Sequence, residues 1–205
     1  MTRVFLFAAV MVLAHPGFAN EKFRVAGDTV FYDTETGDDE SEISSADVKD
    51  LRDLLRVNPE VSRIELNSGG GSYFGGLRMG RLIQDFELDT HVVDICSSSC
   101  FYILLGGTKR TMARGARIGL HHTSWSASSL AEYFADEKDE AGWDTPFDMT
   151  SDIYVETQLE LYNEMKYVVS RGVDPLFALE SLKVRRDGLW YPTRKELLDA
   201  DVLTE

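Results

Sequence analysis

Three serines, Ser97, Ser98 and Ser99, sit between Cys96 and Cys100, where a β-branched run (Val92, Val93, Ile95) gives way to an apolar segment over residues 101–105. A hydroxyl at a strand-to-helix turn lies beside free N–H groups that favour negative charge. That suits a serine nucleophile and the oxyanion it generates. Upstream, Asn67-Ser68-Gly69-Gly70-Gly71 is a strand end followed by a glycine turn. Downstream, Ile118-Gly119-Leu120-His121-His122 is a strand ending in histidine. A serine cluster after a strand is, by itself, more often a helix cap than a nucleophile. Donor turn, hydroxyl turn and histidine strand, in that order, supply the parts that acyl transfer needs.

The elements that must position these groups alternate. Residues 28–32 read as a strand. Ser44 and Asp47 have capping-box spacing and open a helix with Val48, Leu51 and Leu55 on one face, stopped by Asn58-Pro59. Residues 61–66 alternate as a strand, and the glycine turn leads into a helix with Leu77, Leu82, Ile83 and Phe86 inward. Residues 90–95 and 117–120 are further strands. Strand and helix in turn imply parallel crossovers and an α/β fold. A Ser-, Asp- and Glu-rich stretch follows, with room for a short helix at 130–134. A long helix is expected over 151–171, ended by Gly172. Asp174-Pro175 opens another helix, residues 189–191 read as extended, and Thr193 with Glu196 forms a capping box. No internal repeat or linker interrupts the chain, so residues 20–205 read as a single domain.

The 205 residues are 43% apolar and carry a net charge of −14, which suits a sizeable core. An acidic surface excludes nucleic acid as a partner. The acidic runs, at 33–42 and 132–152, read as solvated faces. Residues 1–19 read as a signal peptide: Arg3, an apolar run over 4–14, Pro16, then Gly17-Phe18-Ala19. The run is short for a bilayer span; left uncleaved, it would anchor the chain. Export to a compartment such as the bacterial periplasm is the expectation. There Cys96 and Cys100 are free to form a disulfide, provided Cys96 still lies in the strand, because side chains four apart on a regular helix are too distant. Without histidines at ligand spacing the two cysteines make no zinc site. No metal and no cofactor is expected.

Residues 61–121 resemble the proteolytic subunit of the Clp protease, on the Asn-Ser-Gly-Gly-Gly turn, the serine turn, Gly107 and Ala116-Arg117-Ile118-Gly119-Leu120-His121. Cys-x-Ser-x-Cys around Ser98 resembles exported bacterial relatives of that subunit. The resemblance implies the Clp/crotonase spiral of β-β-α units with C-terminal helices, and a serine peptidase. It implies Ser98 as nucleophile, nine residues before Gly107, and His121 as base. It implies Gly70, Gly71 and the Ser99 amide as oxyanion donors, and Asp187 as the carboxylate orienting His121, with Asp174 and Asp199 as alternatives. His122 would face the opposite side. A peptide or unfolded protein is the implied substrate, and a homo-oligomer fits the family. The segment after His122 lacks the family's Gln-Pro, which argues against stacked rings, and export argues against an ATPase partner. The alternatives are an inactive peptide-binding or assembly module on the same fold and a crotonase-like enzyme acting on an acyl thioester.

Overall fold

The computed structural model describes residues 21–36, 42–122, 124–184 and 188–205; the expected leader lies outside them. Strands β1 (Phe23–Ala26) and β2 (Thr29–Asp33) form an antiparallel hairpin. From β2 onward the sheet is parallel. Helix α1 (Asp47–Val57) carries the chain to β3 (Arg63–Ser68), α2 (Tyr73–Asp85) to β4 (Asp89–Ser97), and α3 (Cys100–Leu105) to β5 (Arg110–Met112) and β6 (Arg117–Gly119). Strand β5 is too short to register as a periodic segment, whereas β6 lies within the strand expected over 117–120. They share one edge of β4, pairing with residues 90–92 and 95–97 in succession.

The core follows from the patterning. Val30 and Tyr32 of β2, Ile64 and Leu66 of β3 and Val92 of β4 point inward and are buried, at the two-residue period of a half-covered sheet. Leu51, Leu54 and Leu55 of α1, Met79 and Ile83 of α2, and Ile103, Leu104 and Leu105 of α3 cover them. Each such side chain contributes roughly 1.5–3 kcal/mol by leaving water.

Helix α1 begins two residues later than its sequence signature suggests. Ala46 is the N-cap and makes no side-chain cap bond. Asp47 is instead the hub: its carboxylate accepts from the Ser44 amide (2.8 Å), the Ser44 hydroxyl (2.9 Å), the Tyr32 hydroxyl (2.7 Å) and Lys22 (3.1 Å). Burial pushes its pKa up, but these donors outweigh it and hold the carboxyl below its usual range.

Beyond β6, helix α4 spans Ala127–Ala141, three times the length expected. Helix α5 (Pro146–Ser170) starts five residues before its expected start because Thr145 and Asp148 form a capping box with Pro146 at the first helical position. Helix α6 (Pro175–Glu180) is capped by Asp174, and α7 (Arg194–Asp199) by the Thr193–Glu196 box. Trp190 pairs antiparallel with Leu120 just past β6.

Two arginines clamp this half to the sheet. Arg110 is buried and donates to the carbonyls of Val202 (2.9 Å), Arg171 (3.2 Å) and Asp201 (2.6 Å). Arg171 donates to the carbonyls of Leu105 (2.7 Å) and Gly107 (3.3 Å), capping the C-terminal end of α3.

Candidate active site

Strand β4 is irregular where the site is built. Leu66 pairs with Val92, but Ser68 pairs with Cys96, so β4 carries two extra residues, and Val93 and Asp94 bulge into solvent. Asn67 stitches the bulge: its Oδ1 accepts from the Ile95 amide at 3.3 Å, and its Nδ2 donates to Asp33 at 3.2 Å. Below the bulge, residues 95–97 align with β6, and the Ser98 amide donates to the Gly119 carbonyl at 2.9 Å. Bulges of this kind re-aim side chains beside functional sites.

Ser98 has φ +55°, a left-handed conformation that costs a non-glycine residue on the order of 1–3 kcal/mol. Helix α3 starts two residues later, so the strand reverses sharply at this residue. The Cys96–Cys100 disulfide spans the reversal, with Cα atoms 5.2 Å apart. Cys96 is in β4 and Cys100 is the first residue of α3, which is the arrangement the bond requires. Helix α2 presses on the turn from behind; a Cβ on Gly76 would overlap Ser99.

The structure brings Ser98 and His121 together. Their Oγ and Nε2 atoms are 2.8 Å apart. The other ring nitrogen, Nδ1, lies 2.9 Å from the carbonyl oxygen of His122. A carbonyl only accepts, so Nδ1 carries the proton, and Nε2 of the neutral ring presents its lone pair to the Ser98 hydroxyl. Asp187 is outside the described residues, and the nitrogen it was expected to hold already has a backbone partner. Asp174 is taken up as the α6 cap, and Asp199 by Lys195.

Neighbouring serines do not compete for the role. Ser97 and Ser99 are buried, and their hydroxyls have no hydrogen-bond partner. The glycine turn corrects one expectation. The Gly70 amide donates to Ser68 Oγ at 3.2 Å, and that hydroxyl accepts from Thr34 at 2.8 Å. Gly70 therefore acts through its lack of a side chain rather than as an oxyanion donor. At φ +118° it lets the turn pass so close that a Cβ would lie 2.7 Å from the Ser98 Cβ. Gly71 is bridged to Ile43 through the atoms on either side of it, the Gly70 carbonyl and the Ser72 amide, which leaves its own N–H outside that bridge. Of the three amides expected to face an oxyanion, that of Gly70 is therefore engaged within the chain.

Ser98 and His121 open onto a cleft walled by Phe101, Leu120, Met165, Val168 and Phe177, with the buried Glu164 among them. Asn67, Ser68 and Glu164 are the residues that sequence reasoning missed. The first two close the strand ahead of the glycine turn, and Glu164 lies among other acids in the long helix. His122 lines a neighbouring hollow with Trp125 and Glu160, apart from Ser98. Among the described residues no group of three or more His, Cys, Asp or Glu side chains is arranged to hold a metal ion.

No protein-family model matches the sequence, and no curated protein does. Among solved structures, a single-residue variant of ClpP1 from Listeria monocytogenes superposes with a TM-score of 0.58. The match covers 87% of this chain and 90% of that one, at 16% identity. At that identity the likeness speaks for architecture alone: the chain has the mixed α/β, Clp/crotonase-like fold of ClpP.

Proposed function

We propose that this protein is a serine peptidase in which Ser98 attacks the scissile carbonyl and His121 is the general base. The observation that carries the reading is the 2.8 Å contact between Ser98 Oγ and His121 Nε2, with Nδ1 bound to a carbonyl. His121 takes the hydroxyl proton as the C–O bond forms, then delivers it to the leaving amine. The Gly71 and Ser99 amides receive the oxyanion, each worth about 3 kcal/mol. Water repeats the sequence on the acyl-enzyme. Its substrate is a peptide or an unfolded chain. A leader over residues 1–19 and a disulfide at the nucleophile turn fit an exported enzyme, working without ATPase or cofactor. The apolar side chains exposed along α5, Tyr154, Val155, Leu159 and Tyr162, suit assembly with further copies.

A serine-directed fluorophosphonate tests the reading. A single adduct, mapped to Ser98 by mass spectrometry and abolished in His121→Ala, is the expected result. An unlabelled protein that still binds peptides would be the inactive module instead.

A further inference from the structure

Glu164 has no evident reason to be where it is. It points inward from α5 and is 7% exposed. Its neighbours in the cleft are apolar apart from Ser98, His121, Ser181 and the Tyr102 hydroxyl. Ser181 is already bonded to the Ala178 carbonyl at 2.8 Å. Tyr102 hydrogen-bonds the Glu164 carboxyl. Among the described residues no salt bridge reaches it. Glu160, one turn earlier on α5, adds a second negative charge at the mouth of the adjoining hollow, which Glu164 also lines. A carboxylate held this way loses several kcal/mol of hydration without a counter-charge, while a leucine would pack against Val168 and Phe101 at no such cost.

We propose that Glu164 is a specificity-determining residue, selecting substrates that place a lysine or arginine side chain in the hollow adjoining the Ser98 cleft, which Glu164 lines together with Glu160. The cation completes an ion pair for which the described residues supply no partner. Its methylene stem lies against Trp125, Leu161 and Leu182 in that hollow, of about 240 Å³, as the charged end reaches the carboxylate. Burial and Glu160 raise the Glu164 pKa, the direction expected of a carboxyl awaiting a cation. The selectivity is set against neutral side chains by a carboxylate whose partner Tyr102 is uncharged, and against acidic ones by repulsion. It is separate from the bond-making groups, although it rests on the peptidase reading of the same cleft.

The test uses acetylated pentapeptides identical except for Lys, Leu or Glu before the scissile bond. Turnover by the full chain should favour Lys over Leu by at least about tenfold in kcat/KM, and Glu least of all. In Glu164→Gln that ratio should collapse to near unity, and Glu164→Asp should recover part of it. An equal loss on all three peptides would make Glu164 a structural partner of Tyr102 and overturn the proposal. So would a preference for Leu in the parent. Binding of the same peptides, fluorescein-labelled, to Ser98→Ala by anisotropy separates this proposal from the chemistry. A Lys preference there that Glu164→Gln abolishes supports the carboxylate's role even if no fluorophosphonate adduct forms. Equal binding of Lys and Leu peptides overturns it even if Ser98 labels.

Discussion

The Ser98 amide is bonded to the Gly119 carbonyl at 2.9 Å, two residues before His121. Nucleophile and base are thus tied by the backbone of β4 and β6 before their side chains meet. The pair is set by sheet register, which is why a motif search sees it only as two separated fragments.

Ser98→Ala should lower peptide turnover by about 10⁶-fold, as loss of the nucleophile does in other serine peptidases. Ser97→Ala removes a buried hydroxyl that has no partner. It should hold turnover within about threefold and leave stability unchanged or raised by up to about 1 kcal/mol. Steady-state kinetics and thermal melts on both variants check this; a large rate loss in Ser97→Ala would shift the nucleophile by one residue.

Asp187→Asn bears on what orients the histidine. With Nδ1 bound to the His122 carbonyl, the tautomer is fixed without a carboxylate, and turnover should fall by less than about tenfold. A loss near 10⁴-fold, the cost of the wrong tautomer, would place the aspartate on the ring instead.

Gly70→Ala should be inactive although the Gly70 amide is engaged with Ser68. The added methyl meets Ser98 at an impossible distance, and φ +118° is a conformation an L side chain resists. Fluorophosphonate labelling should disappear while circular dichroism keeps the α/β spectrum.

Replacing both Cys96 and Cys100 with alanine should cost only roughly 2 kcal/mol of stability, the chain-entropy value for so short a loop. Turnover should suffer more than the melting temperature, because the lost brace spans the strained Ser98 turn. Thiol titration of the denatured, unreduced protein should find no free cysteine; two per chain would remove the premise.

Asp47 carries a pH dependence with a definite sign. Its folded carboxyl is held below the usual range, so its stabilisation is complete above the unfolded pKa and is lost as pH falls through the folded one. Asp47→Asn should lower stability at neutral pH by about 1–3 kcal/mol and flatten the acid limb of the stability curve. Denaturant titrations between pH 3 and 7 would show both effects, and parallel curves for parent and variant would contradict them.

Local chemistry carried much of this in the sequence. The strands over 61–66 and 90–95, the Thr193 box and the Asp174-Pro175 start are all short-range signals, and each is present in the structure, the two strands running on to Ser68 and Ser97. What stayed hidden depends on partners far along the chain. Ser44 and Asp47 have the spacing of a cap, but Tyr32 and Lys22 recruit the carboxylate to join β2 to α1. Asn67 reads only as a strand end until the two extra residues of β4 give it an amide to hold. Ser68 reads the same way until Thr34 and Gly70 converge on its hydroxyl. Glu164 differs from the other acids of α5 only in facing inward, and the mixed pattern of that helix conceals it.

Helix α4 buries no side chain, and from Pro146 to Asn163 helix α5 buries only Met149. So little apolar contact cannot couple that arm to the cooperative unfolding of the sheet. Amide hydrogens over residues 127–160 should exchange through a separate, low-energy opening, far ahead of those in β3 and β4. Limited proteolysis of the native protein should enter there first. A cut in the arm would leave Ser98 against His121 and free the segment carrying Glu164, so a nicked enzyme would keep its reactivity toward small acylating reagents and lose discrimination among peptides.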